Sequence, residues 1–273
     1  MMERKMVKSG IPGLDEIMGG GLLEGSITTV GGRSGSGRST FALQFLYNGA
    51  MEYDEPGLYI SIEESKQDFF FHMSGYNWDL EKAEAEQKLV FLDYPIYEVD
   101  QILTQYGAIQ EIINSTGVKR VVIDSVMPIA LFFPDEDERK KGFLKLIDNI
   151  RKWNTTTLMV AEDTHSRNVG SLPSTAFGIE SFTDGWINIY FHYDADKGER
   201  TRAVEVIKMK GIGHSTRAYP AEIDEDGFKV LFSGKEKPKA AKKPKPAPKK
   251  PAAKEAKPKK KVLGARRIVR KPK

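Results

Sequence analysis

The 273-residue sequence predicts an α/β fold: a parallel, doubly wound sheet flanked by helices. Three observations predict it. A short apolar strand runs through a glycine-rich turn into a helix over residues 26–51. Continuous apolar strands recur at 57–62, 119–125 and 155–161. Segments with helical spacing lie between them. Unbroken apolar runs, unlike alternating ones, mark strands buried on both faces, as in parallel sheets. Crossovers between such strands are right-handed.

The elements follow in order. Residues 26–30 (SITTV) read as the first core strand, and Phe41, Leu43, Phe45, Leu46 and Ala50 mark a helix over 40–51. Residues 57–62 (GLYISI) are the next strand, ended by Glu63 and Glu64. Ile102, Tyr106, Ile109 and Ile113 share one face of a helix over 98–115, and residues 119–125 (KRVVIDS) are a third strand. Phe143, Leu144, Ile147 and Ile150 give a helix over 139–153. The acids at 135–138 suit its N-terminus, where they complement the helix dipole. Residues 155–161 return as a strand. After Asp184 short strands at 186–191, 202–208 and 228–232 predict a small β extension on the sheet edge.

The formal net charge of +4 hides a division. Residues 235–273 hold 15 lysines and three arginines against Glu236 and Glu255, a net +16, and seven of the 14 prolines. Residues 1–234 carry −12. A segment that is nearly all Lys, Pro and Ala buries too little apolar area to offset its ordering entropy, so 235–273 is expected to be a disordered basic tail with polyproline stretches. Only 262–269 has some apolar character. The domain division is therefore 1–234 and 235–273. The absence of cysteine excludes a disulfide framework and a thiolate metal site. No run approaches the roughly 18 apolar residues of a membrane helix. Residues 1–10 lack the apolar core of a signal peptide, so a cytoplasmic protein with no membrane association is expected.

The chemistry concentrates at residues 32–39. Gly32, Arg33, Ser34, Gly35, Ser36, Gly37, Arg38 and Ser39 fit the phosphate-loop pattern G-x-x-x-x-G-K-[ST] in every fixed position except the lysine, which is Arg38. Glycines let the backbone curl until successive N–H groups converge on phosphate oxygens, and the following helix aims its positive end at them. Ser39 is placed to ligate Mg2+, with Thr40 near the α-phosphate. Arg38 keeps the charge of a lysine, but its guanidinium is broader and planar, so nucleotide binding should survive the exchange better than hydrolysis. Asp124, closing the apolar strand, reads as the carboxylate that holds Mg2+ through the second shell. Either Glu63 or Glu64 could orient and deprotonate an attacking water, or both could be solvated strand-end acids ahead of a helix cap at Ser65. His72, His165 and His192 offer no metal-ligand spacing. Trp78, Trp153 and Trp186 read as core.

Taken together, these residues resemble the KaiC-type ATPases of the RecA superfamily. The resemblance rests on Ser9-Gly10-Ile11-Pro12-Gly13-Leu14-Asp15, Gly19-Gly20-Gly21, the loop through Thr40, and the strand ending in Glu63-Glu64. It continues through Val121-Val122-Ile123-Asp124-Ser125, Phe177-Gly178-Ile179-Glu180 and the segment from Lys208 to His214, so it covers roughly residues 6–232. The archaeal single-domain members look most similar. The resemblance implies a RecA-like sheet, a homo-hexameric ring with ATP between subunits, and Glu63 and Glu64 as catalytic carboxylates. It also implies that Lys208, Lys210 and His214 reach the γ-phosphate of the adjacent subunit. Lys210 stands where the family has arginine and lacks the bidentate fork. Autophosphorylation in two-domain relatives belongs to a second repeat that this sequence lacks.

The loop 163–175 occupies the place where RecA-type recombinases contact DNA. Arg167 is its only basic residue, which disfavours a recombinase. The basic tail would release counterions from nucleic acid without sequence specificity, so nucleic acid or another acidic partner is expected there; the alternative is a solvated tail or one folded onto the acidic body. The leading expectation is an ATP-binding oligomeric switch with slow or absent hydrolysis. A nucleic-acid-associated protein and a non-hydrolysing scaffold are the alternatives.

Overall fold

In the computed structural model, residues 5–163, 172–196 and 198–232 are described. The basic tail, Arg167 and His165 lie outside them.

The unbroken apolar runs become the middle of a nine-stranded sheet. Residues 6–23 form a small antiparallel pair, β1 (Met6–Val7) with β2 (Leu22–Leu23), around the short helix α1 (Leu14–Ile17). Next come β3 (Ile27–Gly32), α2 (Arg38–Glu52), β4 (Gly57–Ser61), α3 (Lys66–Met73), α4 (Leu80–Ala85) and β5 (Leu89–Asp93). They are followed by α5 (Val99–Thr104), α6 (Tyr106–Thr116), β6 (Arg120–Asp124), α7 (Met127–Phe132), α8 (Glu136–Lys152) and β7 (Thr156–Glu162). Last are β8 (Gly185–Asp194), β9 (Glu199–Met209), β10 (Ala218–Asp224) and β11 (Gly227–Val230). The strand order is β11-β10-β9-β8-β3-β7-β6-β4-β5. Pairs from β8 to β5 are parallel, and those from β8 to β11 are antiparallel.

Alternate side chains along each strand enter two cores, as a two-residue repeat requires. Val30, Tyr59, Val122, Leu158 and Ile187 face Phe41 and Phe45 of α2. Ile27, Leu58, Ile60, Val121 and Ile123 face Phe143, Ile147 and Ile150 of α8. The acids expected at the start of α8 are there, and Asp135 caps it by accepting from the Glu138 amide at 2.8 Å. Trp78, Trp153 and Trp186 are buried.

One expectation needed correction. The helix over 98–115 is two helices joined at Gln105. The Thr104 hydroxyl donates to the carbonyls of Asp100 and Gln101, a back-bond that bends helices, and Gly107 opens the second one weakly. The β extension expected on the sheet edge is there: β9, β10 and β11 continue the main sheet beyond β8. Pro220 made β10 unreadable, because proline argues against an inner strand. It is tolerated since β11 reaches only to Val230, opposite Ala221.

Candidate functional site

Parallel strands end together. The register pairs Gly32 of β3 with Glu162 of β7, and Ser61 of β4 with Asp124 of β6. The turn 33–37, Glu63, Glu64 and Asp124 therefore gather outside the carboxyl ends of the strands, where ligands bind in open α/β sheets.

The loop itself is shaped by two left-handed glycines, Gly35 at φ 78° and Gly37 at φ 96°. The Ser36 amide closes a turn on the Arg33 carbonyl at 3.0 Å, and Gly37 opens α2. Arg202 of β9, which sequence reasoning missed, donates to the carbonyls of Ser36 and Gly35 at 3.0 and 3.2 Å. Its guanidinium lies 4.5 Å from the Phe191 ring centre. A carbonyl and the next N–H point opposite ways across a trans peptide. The Ser36 carbonyl turned to Arg202 therefore sends the Gly37 amide to the other side, toward the helix mouth. Ser34 is exposed beside a cavity of about 480 Å³ lined by Arg33, Glu162, Asp163, Phe191 and Arg200.

Arg38 turns back beneath the loop. Its Nη1 donates to the Gly32 carbonyl and, at 3.2 Å, to the Ala161 carbonyl, tying the ends of β3 and β7. Ser39, one residue on, stands beside the Asp124 carboxylate and favours its charged form. Tyr59 of β4 donates to Asp124 Oδ2 at 2.6 Å. Burial pushes the Asp124 carboxyl up, while Ser39, Tyr59 and the charge of Arg38 oppose that rise. Burial also pushes the Tyr59 phenol well up, and the Asp124 charge adds to it. Thr40 Oγ1 lies 3.1 Å from the Tyr76 hydroxyl.

The neighbouring glutamates diverge. Glu63 Oε1 accepts from the Ser125 hydroxyl at 2.5 Å, beside Asp124. Glu64 pairs instead with Nδ1 of the exposed His72 on α3. Ser65 does cap that helix, accepting from the Asp68 amide. A larger cavity, about 1080 Å³ between α3 and α4, contains none of the candidate residues.

Lys208, Lys210 and His214 lie toward the opposite end of the strands, where β9 runs out level with the start of β3. The register sets Gly185 opposite both Met209 and Thr28, four residues below Gly32, or on the order of 13 Å. Lys208 Nζ donates to the Glu180 carbonyl at 2.5 Å, and burial, with Lys210 nearby, lowers its pKa. Lys210 sits 3.2 Å from Asp184, a carboxylate already gripped by both Nη atoms of Arg151 at 3.0 Å. Burial works to raise the Asp184 carboxyl, but Arg151, the Ile27 amide and Lys210 hold it below its ordinary value. His214 Nδ1 lies 2.8 Å from the Ser215 carbonyl. One chain does not bring these three to its own phosphate loop.

Among the described residues no group of three or more His, Asp or Glu could hold a metal ion alone. The adjoining Ser39 hydroxyl and Asp124 carboxylate are hard oxygen donors, and they fit Mg2+ shared with phosphates, which seldom takes an all-protein cage. Nor is any described helix long and apolar enough to cross a membrane.

A family model described as "ATPase: KaiC" matches residues 7–235. The chain is 32% identical over 236 residues to the circadian clock oscillator protein KaiC of Synechococcus elongatus, covering 84% of this chain and 44% of that protein. It thus spans less than half the length of such relatives. A UPF0273 protein of Methanocaldococcus jannaschii is 31% identical over 83% of this chain and 96% of its own length. The crystal structure of a KaiC-like protein from Pyrococcus horikoshii superposes with a TM-score of 0.73 at 35% identity, covering 84% of this chain and all of that one. With that fold, the loop at the strand ends and a match over most of its length, the chain belongs to the KaiC family of ATPases.

Proposed function

We propose that the protein binds ATP with Mg2+ at residues 32–40 and acts as a nucleotide-dependent oligomeric switch that hydrolyses slowly. Arg38 carries this reading. Its guanidinium bonds two main-chain carbonyls, where a lysine ammonium would be free to meet the β- and γ-phosphates. The loop from Gly32 through Ser34, Gly35, Ser36 and Gly37, with Thr40, makes the phosphate cradle, and Arg38 braces it from beneath. Ser39 and Asp124 would hold Mg2+, Ser39 through its hydroxyl and Asp124 through a water. Mg2+ neutralises phosphate charge when bound. Glu63 and Glu64 are the carboxylates for the attacking water, and Glu63 is the one already drawn toward Asp124.

The position of Lys208, Lys210 and His214 supports assembly. Residues at the end of the strands opposite the phosphate loop can serve a nucleotide only if it belongs to another copy, as in the homo-hexameric ring that the family resemblance implies. Arg38→Lys is expected to raise ATP turnover at least about tenfold, roughly 1.4 kcal/mol of transition-state stabilisation, with nucleotide affinity little changed. Phosphate release and light scattering with and without Mg-ATP check both halves. Brisk turnover by the natural protein, unimproved by lysine, would sink the proposal of impaired hydrolysis.

A second reading concerns the tail, whose 18 basic residues in 39 favour nucleic acid. DNA or RNA retention by the full chain should fall on the order of 1000-fold between 50 and 200 mM salt. A chain ending at Gly234 should lose that salt-dependent retention. Equal retention by the two would remove the idea.

A further inference from the structure

Tyr59 lies in an apolar run and reads as an ordinary core residue, yet its hydroxyl is engaged at the site. The register explains how. Ser61 of β4 lies opposite Asp124 of β6, so Tyr59, two residues earlier, is the diagonal neighbour of Asp124 on the same face. Diagonal neighbours are about 7–8 Å apart, within reach of an aromatic side chain. The ring is fully buried and held by Phe69 and Phe91, with ring centres 4.6 and 5.2 Å away and the Phe91 ring stacked at 4°. A phenylalanine would fill that space equally well without a polar atom to satisfy. The hydroxyl instead meets Asp124 Oδ2 at 2.6 Å, with Ser39 close beside them.

The geometry points to Tyr59 as a positioning residue for the metal: its hydroxyl takes one carboxylate oxygen of Asp124 and so fixes the plane of the carboxylate that, with Ser39, would hold Mg2+. The inference rests on the nucleotide reading above. A buried carboxylate with one hydrogen-bond partner fewer can rotate, and outer partners of a metal site set how tightly its ligands hold. The step is one of orientation alone, and no bond is made or broken.

Tyr59→Phe tests it with a fluorescent ATP analogue titrated in EDTA and then across a Mg2+ series. The Mg2+ concentration for half-maximal enhancement of nucleotide binding should rise about tenfold or more, while affinity in EDTA stays the same. Phe91→Leu loosens the ring stack but keeps the hydroxyl, and should lower the melting temperature without altering the Mg2+ requirement. An unchanged requirement in Tyr59→Phe overturns the inference. So does an equal loss of affinity with and without metal, which would mark a merely structural role. If the natural protein takes up no nucleotide at all, the nucleotide reading itself fails, a result distinct from either.

Discussion

Gly37→Ala is expected to weaken ATP binding about 100-fold, the cost of displacing convergent groups by roughly an ångström. Gly37 opens α2 at φ 96°, ψ 25°, where an L side chain is strained by about 1–3 kcal/mol. The added Cβ would meet Cδ1 of Ile223 on β10. That side-chain tip can swing aside, but the backbone strain cannot be relieved in the same way. The loop must move, and with it the amide that Arg202 turns toward the helix mouth. Gly117→Ala separates binding from stability. It too has a positive φ, 70°, at the end of α6, but with nothing within 4 Å of a new Cβ. It should cost comparable stability and leave affinity untouched. Calorimetric titration with ATP beside thermal melts of both variants checks this. Equal affinity in Gly37→Ala and the natural protein would show that the loop is no phosphate cradle.

The frame of this fold was legible because its central strands are buried on both faces. Only Ser61 interrupts the apolar run at 57–62 and nothing polar interrupts 121–123, so strand and class could be read together. The phosphate loop was legible because its glycines are fixed by backbone geometry. What escaped depends on register. Tyr59 and Asp124 are 65 residues apart, and only the pairing of β4 with β6 makes them neighbours. Arg202 escaped likewise, since nothing local marks an arginine on β9 as a partner of Gly35 and Ser36. Lys208 and His214 were marked by family resemblance alone, and the fold adds what resemblance lacked: the end of the sheet, opposite the phosphate loop, at which they stand. Arg151 drew no notice in the helix over 139–153, yet it holds the carboxylate that Lys210 also contacts. Arg120 was read with its strand and drew no notice, although it is fully buried.

Arg120→Ala is expected to cost about 3–5 kcal/mol of stability, the range for removing one partner of a buried pair. Nη1 donates to the Phe45 carbonyl and Nε to Glu55, each at 2.8 Å, and Nη2 lies 2.7 Å from the same carboxylate. The guanidinium rests 4.7 Å from the Phe45 ring centre and 5.4 Å from that of Tyr53. Burial pulls its pKa down, with Glu55 opposing. Because the Glu55 side chain keeps 22% of its exposure, it can rehydrate when abandoned, which places the loss near the lower end. Arg120→Met should cost less than alanine, since it refills the space and leaves only the Phe45 carbonyl without its donor. Gly49 tests the same packing from the other side. A Cβ there would run into the Arg120 side chain, so Gly49→Ala alone should cost about 1–3 kcal/mol by overpacking. In an Arg120→Ala background that collision is gone, and the Gly49→Ala penalty should shrink toward zero. Urea unfolding of the two single variants and the double measures this coupling, which contacting residues show and distant ones do not. Strictly additive costs would mean that Gly49 is bare for some reason other than the arginine beneath it.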